Sequence, residues 1–292
     1  MRLRLSPLAA DGLLLLAALL WGSGFIAQRI GSAHLGPLSF SGLRFSTAAL
    51  VLVPFVIGRR FDRTLLVAGG ITGAMMAVAA MLQQWGVGST TAGNAGFITS
   101  LYVVFVPLLG LFVRHRVRRM VWVAVALSVV GLWFLSVDSE FHFHAGDPIV
   151  LASALGWAVH LLAVDRYSNL VNPLGYAFLQ FAITGAVATA LGLVVEQPSF
   201  EAIDAAKWPI LYGGVFPVCA GFTLQMVAQR TAPPTHASIL LSLEAVFAML
   251  FGVLFLSEAV SGRQATGATL MFAGVIAAQV KPKDRGEARN RP

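Results

Sequence analysis

Two charged side chains stand in stretches otherwise made of apolar and small residues. Arg44 lies inside FSGLRFSTAALVL (40–52), and Glu244 lies inside SILLSLEAVFAML (238–250). A guanidinium and a carboxylate in such surroundings can pair with one another or bind a charged group on a ligand, and the carboxylate can exchange a proton. Similar settings hold Trp21, Trp157 and Tyr102, flat apolar bodies that each carry one polar handle. Ser100, Ser242 and Gln180 add neutral hydrogen-bonding groups, and His160 adds a titratable ring. This is an inventory for holding a small molecule and moving a proton. For bond-making chemistry the one acid–base pair within plausible reach is Glu244 with His160, and no membrane-hydrolase motif accompanies it.

The elements that carry these residues follow from composition. Of 292 residues, 57% are hydrophobic and only 11% charged, and the mean hydropathy is +0.79. Soluble domains carry about 25% charged residues. Apolar runs near 20 residues recur along the chain, each long enough to cross a hydrocarbon core of about 30 Å. The expectation is an all-α membrane protein with ten transmembrane helices, at about 11–30, 36–58, 64–85, 92–113, 119–137, 147–165, 172–195, 208–229, 234–256 and 261–280. Asp147-Pro148, Asn172-Pro173 and Gly36-Pro37 supply helix starts. The first segment is too long for a signal-peptide core and is expected to remain as a membrane helix.

Charge sets the orientation. With the N terminus in the cytoplasm, sixteen Lys and Arg fall on that side and three on the other (Arg29, Lys207 and Arg263). That asymmetry predicts cytoplasmic termini. The net charge of +7 is therefore membrane topology and not a nucleic-acid surface. The excess of Arg over Lys points to a GC-rich genome and hence to a bacterial inner (plasma) membrane. Cys219 is alone and reads as a small buried hydrophobe.

Self-comparison gives a repeat. ALLWGSGFIAQRIGSAHLGPLSF (18–40) aligns with ALGWAVHLLAVDRYSNLVNPLGY (154–176) at an offset of 136, so that Trp21 meets Trp157. NAGFITSLYVVFVPLLG (94–110) aligns with HASILLSLEAVFAMLFG (236–252) at an offset of 142, so that Ser100 meets Ser242 and Tyr102 meets Glu244. Gly131 meets Gly274 at an offset of 143. Each half holds five helices, an odd number, so the second half enters the membrane inverted. Repeats of this kind place a substrate site at their interface near the bilayer midplane. The expected division is 1–140, 141–280 and a basic tail over 281–292.

The residues LLWGSGFIAQR (19–29), SGLRFSTAAL (41–50), AQRTAPPTHASILLSLEAVFAMLFGVLFLSE (228–258) and GATLMFAGVIAAQ (267–279) resemble the drug/metabolite transporter superfamily, in its ten-helix EamA-type branch. The resemblance covers nearly all of the chain. Its most specific part is a stretch similar to Gln-Arg-x-x-x-Pro-x-x-Ala followed by Leu-Glu-Pro-Val-Phe. Here Ala245 replaces the proline, which predicts a straighter ninth helix. The resemblance implies transport of small metabolites, with export favoured by association, and it names no substrate.

Depth sorts the candidates. Arg44 lies roughly 11 Å along its helix from the outer side and Glu244 roughly 15 Å from the inner side, at 1.5 Å per residue. Trp21, Tyr102 and Trp157 fall at a similar level, and Gln180 and His160 somewhat toward the cytoplasm. A charge facing lipid at a helix centre costs about 2.5–3.5 kcal/mol, so Arg44 and Glu244 should face a shared cavity or each other. Arg44 fits a structural clamp on carbonyls or on Glu244, a binder of an anionic substrate group, or a modulator of Glu244. The resemblance carries an arginine here regardless of substrate, which favours the clamp. Glu244 is the proton-coupling candidate unless a permanent bridge to Arg44 silences it, and His160 reads first as a hydrogen-bonded packing residue. Asn94, Gln83 and Gln84 mark a polar outer mouth, and GGITGAMMAVAA (69–80) reads as close helix packing.

Other signals carry less. His142 and His144 in FHFHAGD make a poor zinc site without further ligands. RHRVRR (114–119) satisfies the positive-inside rule, and no Walker motif is present. No metal or cofactor is expected. The expected partners are a small-molecule substrate and the lipid bilayer, with a homodimer left open and no nucleic acid. The sequence thus reads as a secondary-active transporter working by alternating access. A passive facilitator or channel and a non-transporting scaffold are the alternatives, and an intramembrane enzyme stands behind them.

Overall fold

The computed structural model describes residues 5–90, 92–112, 117–136, 144–256 and 260–279. The basic tail, Arg114 to Arg116 of the basic loop, and His142 lie outside them. All regular structure among the described residues is helical. The helices are α1 Pro7–Gly31, α2 Pro37–Val56, α3 Arg63–Gly88, α4 Ala92–Ser100, α5 Tyr102–Phe112, α6 Arg119–Ser136, α7 Asp147–Ser168, α8 Pro173–Val195, α9 Phe200–Ala205 and α10 Lys207–Gly213. A π-helical segment, Gly214–Phe222, then leads into α11 Thr223–Ala228, α12 Pro234–Leu241, α13 Glu244–Leu256 and α14 Gly262–Gln279. Eight helices are long and apolar enough to span a membrane when α4–α5, α10–α11 and α12–α13 are each counted as one rod. α6 and α14 are two further helices, packed along one another.

Local chemistry explains the starts. Ser6 Oγ accepts from Ala9 N, Asp62 Oδ1 accepts from Leu65 N at 2.8 Å, and Asn172 Oδ1 accepts from Leu174 N and Gly175 N. These side chains satisfy amides that have no partner within their own helices. α2 starts at Gly36-Pro37 and has no cap of its own. Glu196, at the end of α8, supplies one by accepting from Leu38 N at 2.9 Å and Ser39 N at 2.8 Å.

Two of the expected rods are broken near their middles. α4 stops at Ser100 and α5 begins at Tyr102, while α12 stops at Leu241 and α13 begins at Glu244. The expectation of a straighter ninth helix is therefore corrected. No proline is needed for the break. Ser242 Oγ donates to Ile239 O at 2.8 Å, and the backbone tightens to three-residue turns, Leu243 N to Leu240 O at 3.2 Å and Ala245 N to Ser242 O at 3.3 Å. A serine hydroxyl that bonds back to the preceding turn bends a helix in this way. The eighth rod is also irregular. Pro217 lacks an amide hydrogen and would crowd the preceding turn, and the backbone around it widens to π-helix.

Close approach depends on small residues. A Cβ added to Gly22 would lie 2.7 Å from Glu244 O and 2.8 Å from Ala248 N, so only glycine lets α1 touch the start of α13.

Candidate functional site

The breaks in the two rods meet. Ser100 Oγ, at the end of α4, lies 3.4 Å from both Ser242 O and Glu244 Oε1. Because α13 begins at Glu244, its carboxyl group leaves the helix at a first turn and enters the wall of a central cavity. Tyr102, the first residue of α5, lies in the same wall, with its hydroxyl beside the Glu244 carboxyl group. Both are almost fully buried, Glu244 at 3% exposure and Tyr102 at 3%.

α1, α2, α3, α4, α5, α7, the π-helical segment, α11 and α13 all contribute to the cavity wall. Arg44 enters from α2, 4% exposed, with its guanidinium 5.2 Å from the Phe45 ring centroid and 5.7 Å from that of Phe40. Its Nε has no partner. Among the described residues Arg44 forms no ion pair and no hydrogen bond, so the two bonds that would make it a clamp, to carbonyls or to Glu244, are not formed in this conformation. Gln28 Oε1 and Gln225 Oε1, also in the wall, are buried acceptors without donors. Buried polar groups are normally satisfied. These three atoms leave both a donor and acceptors for a guest or for water.

An aromatic cluster forms the apolar side. Phe222 lies with its ring centroid 4.7 Å from Trp21 and 5.3 Å from Trp157, stacked on the latter. Trp21 Nε1 donates to Pro217 O at 3.0 Å, and Trp157 Nε1 donates to Gln83 Oε1 at 3.3 Å. Both indole donors are therefore spent on protein, and the rings present apolar faces. His160 meets Trp157 edge to face at 5.7 Å. Its Nε2 lies 2.7 Å from Gln180 Oε1, and the Gln180 amide donates to Tyr176 O at 3.4 Å. With Gln180 presenting its oxygen, Nε2 of His160 is the donor and the ring is held by its neighbour.

Of the residues expected to bind substrate, Trp21, Tyr102 and Trp157 line the cavity, and so do Arg44, Glu244 and His160. Ser100, Ser242 and Gln180 stand behind the wall. Ser100 steadies Glu244, Ser242 shapes the helix break, and Gln180 orients His160. Phe222, Phe25, Phe45, Thr99 and Gln225 also line the cavity and were not singled out by the sequence. An apolar residue in an apolar helix carries no mark of its facing; the one available cue to Phe222 was Pro217 in mid-rod. Gln83 lines the cavity beside Trp157. Gln84 instead donates to Ser32 Oγ at 2.7 Å, so the two glutamines expected with Asn94 at the outer mouth divide between site and packing. Room for the centres of water-sized molecules in the cavity amounts to about 50 Å³. That holds a few waters and no larger guest.

The profile of the EamA-like transporter family matches residues 8–137 and again 144–278. An uncharacterized transporter of Archaeoglobus fulgidus is 36% identical over 276 residues, covering 92% of this chain and 85% of the relative. A probable amino-acid metabolite efflux pump of Salmonella typhimurium is 24% identical over 282 residues, covering 91% and 93%. The uncharacterized inner membrane transporter YedA of Escherichia coli is 24% identical over 255 residues, covering 82% and 81%. A solved crystal structure shares the fold, with a TM-score of 0.77 at 20% identity over 92% of this chain and 97% of that one. Two family matches in tandem, at the two stretches that build the cavity, place the chain in the EamA-like transporter family.

Proposed function

We propose that this transporter is a secondary-active exporter of small organic metabolites, amino acids or drug-like compounds, working by alternating access at a site between two inverted five-helix repeats. One observation carries the reading. The central cavity holds a buried guanidinium and a buried carboxylate that do not neutralise each other, beside the rings of Trp21, Trp157 and Phe222. Ionisable side chains inside a membrane mark substrate or ion pathways. A guest with a charged end and an apolar body fits Arg44, Glu244 and the rings. The small volume fits a closed intermediate that must enlarge to admit it.

The repeat reading is supported by contacts between α6 and α14. A Cβ on Gly131 would meet Gly267 O at 2.6 Å and Met271 N at 2.9 Å, and one on Gly274 would meet Ala124 O at 2.9 Å and Ser128 Oγ at 2.9 Å. At the offset of 143 these are the same contact seen from either partner, as a two-fold axis requires. With α6 and α14 added to the eight long spans, each half would supply five, and both termini would lie in the cytoplasm. The Salmonella relative, a probable amino-acid metabolite efflux pump, favours export.

The test is flux of a mixed amino-acid and metabolite pool in proteoliposomes, with and without a pH gradient, for wild type and Glu244→Gln. The expected result is gradient-driven movement of a solute by wild type and not by the variant. Equal movement of the same solute by both, with no response to pH, would make the chain a uniporter or exchanger. No movement of any pooled solute by wild type would favour the scaffold.

A further inference from the structure

The cavity must open to one face at a time, and the fold holds two contacts, at opposite ends of the bundle, that could govern this. At one end, Asp11 of α1 accepts a hydrogen bond at Oδ1 from His236 Nε2 of α12, at 2.7 Å. Both side chains are mostly buried, at 16% and 19% exposure. The bond ties the start of the first rod to the start of the ninth. At the other end, Asp147 begins α7. Its Oδ1 accepts from Thr90 Oγ1 at 2.5 Å, and its Oδ2 accepts from His144 N at 2.9 Å. The His144 ring lies 3.2 Å from Asn94 Nδ2 of α4 and 3.8 Å from Asp147 Oδ2. This cluster ties the start of the sixth rod to the start of the fourth.

The two clusters are not an arbitrary pair. Asp11 and Asp147 differ by 136, the offset that superposes Trp21 on Trp157. Asn94 and His236 differ by 142, the offset that superposes Ser100 on Ser242 and Tyr102 on Glu244. The positions that meet directly in one half, Asp11 and His236, thus correspond to two that His144 bridges in the other, Asp147 and Asn94. The clusters lie on opposite sides of the cavity. α1 runs from Asp11 past Trp21 to Arg29, whose guanidinium reaches Val87 O and Gly88 O beside Thr90. The 18 residues from Asp11 to Arg29 span roughly 27 Å of helix.

We propose that Asp11–His236 and Asp147–Thr90–His144–Asn94 are the two gate latches of the transport cycle. Each must be released to open the cavity to its own face. The proposal rests on the alternating-access reading. Both latches are closed here, which accounts for a cavity too small for a metabolite. The Asp11 latch faces the side that the loop charges assign to the cytoplasm. The two are built unequally. Gly146 N also donates to Ser89 O at 3.2 Å beside Asp147, so the outer latch carries an additional backbone bond.

The experiment measures access and needs no substrate. Val218, in the cavity wall, is replaced by cysteine in a Cys219→Ala background, which removes the chain's one native thiol. A membrane-impermeant maleimide is applied to right-side-out and inside-out vesicles. Asp11→Ala and His236→Ala should each raise labelling from the cytoplasmic face, and Asp147→Ala and Thr90→Val from the opposite face. The expected change is about tenfold, the population shift of one lost charge-assisted hydrogen bond. Two substitutions per latch keep the test decisive if one fails to fold. Increased labelling from the same face for both latches, or no change in folded variants of either, overturns the proposal. Failure of flux with the labelling pattern intact would instead count against the transport reading and leave the latches standing.

Discussion

The breaks in the fourth and ninth rods share a backbone and differ in chemistry. Each follows a serine, Ser100 or Ser242, passes through a leucine, and restarts on the residue that enters the cavity wall. One restart carries Tyr102, a phenol hydroxyl. The other carries Glu244, a carboxyl group held by Ser100 from across the interface. The hydroxyls diverge too. Ser242 bonds back into its own helix, while Ser100 reaches over to its counterpart. The two breaks thus put Tyr102 and Glu244 in one cavity wall, and only one of the two is a carboxyl group. On the proposed reading, paired breaks suit a site that faces each side in turn, and a single carboxyl group suits coupling to one ion.

The comparison is broken most directly by removing the carboxyl group. Glu244→Gln keeps the shape and should lower pH-gradient-driven flux at least about tenfold, whereas Tyr102→Phe should leave the gradient response in place. Equal losses in the two variants, read in the same vesicles, would mean that the breaks are functionally equivalent.

Arg44 tests the other wall. Its guanidinium meets rings and no acceptor, so Arg44→Met should lower flux of a carboxylate-bearing substrate by roughly tenfold, the weight of a charge-assisted hydrogen bond. Thermal stability in detergent should hold or rise. Removing one partner of a buried clamp costs about 3–5 kcal/mol, and a fall in melting temperature of that weight would restore the clamp.

The frame itself is tested at α6 and α14. Gly131→Leu and Gly274→Leu each drive a side chain into the partner backbone and should destabilise by about 1–3 kcal/mol. Matched losses in thermal unfolding would sharpen the two-fold reading, and a loss at one site alone would count against it.

The smallest effect is expected from Ala245→Pro. Position 245 is the second residue of α13, where proline is tolerated, and only the long Ala245 N to Ser242 O bond of 3.3 Å is lost. Stability should change by less than about 1 kcal/mol. A large loss would show that the ninth rod needs a bend different from the one proline gives.

Much was legible from residue types. The apolar runs marked the helices because the bilayer leaves no other partner for backbone amides. Asn172-Pro173 and Asp147-Pro148 marked starts within a residue or so, because capping and the geometry of proline are local. Arg44, Glu244, Trp21, Trp157, Tyr102 and His160 stood out because charge and amphipathic bulk are rare and costly in lipid. All six line one cavity. Helix-sum counting could not show that Ser100 and Gln180 serve from behind, since depth along a rod says nothing of the direction a side chain points.

The sequence by itself determined the solvent, the helices and which polar residues must turn inward, since these follow from the energetics of single residues and near neighbours. Only the tertiary structure decided which groups meet. It placed Phe222 between two tryptophans, left Arg44 without an acceptor, set Ser100 against Glu244 and closed Asp11 on His236. Those pairings join residues far apart in the chain. They depend on rotations of rods about their own axes, which packing among all the helices fixes together.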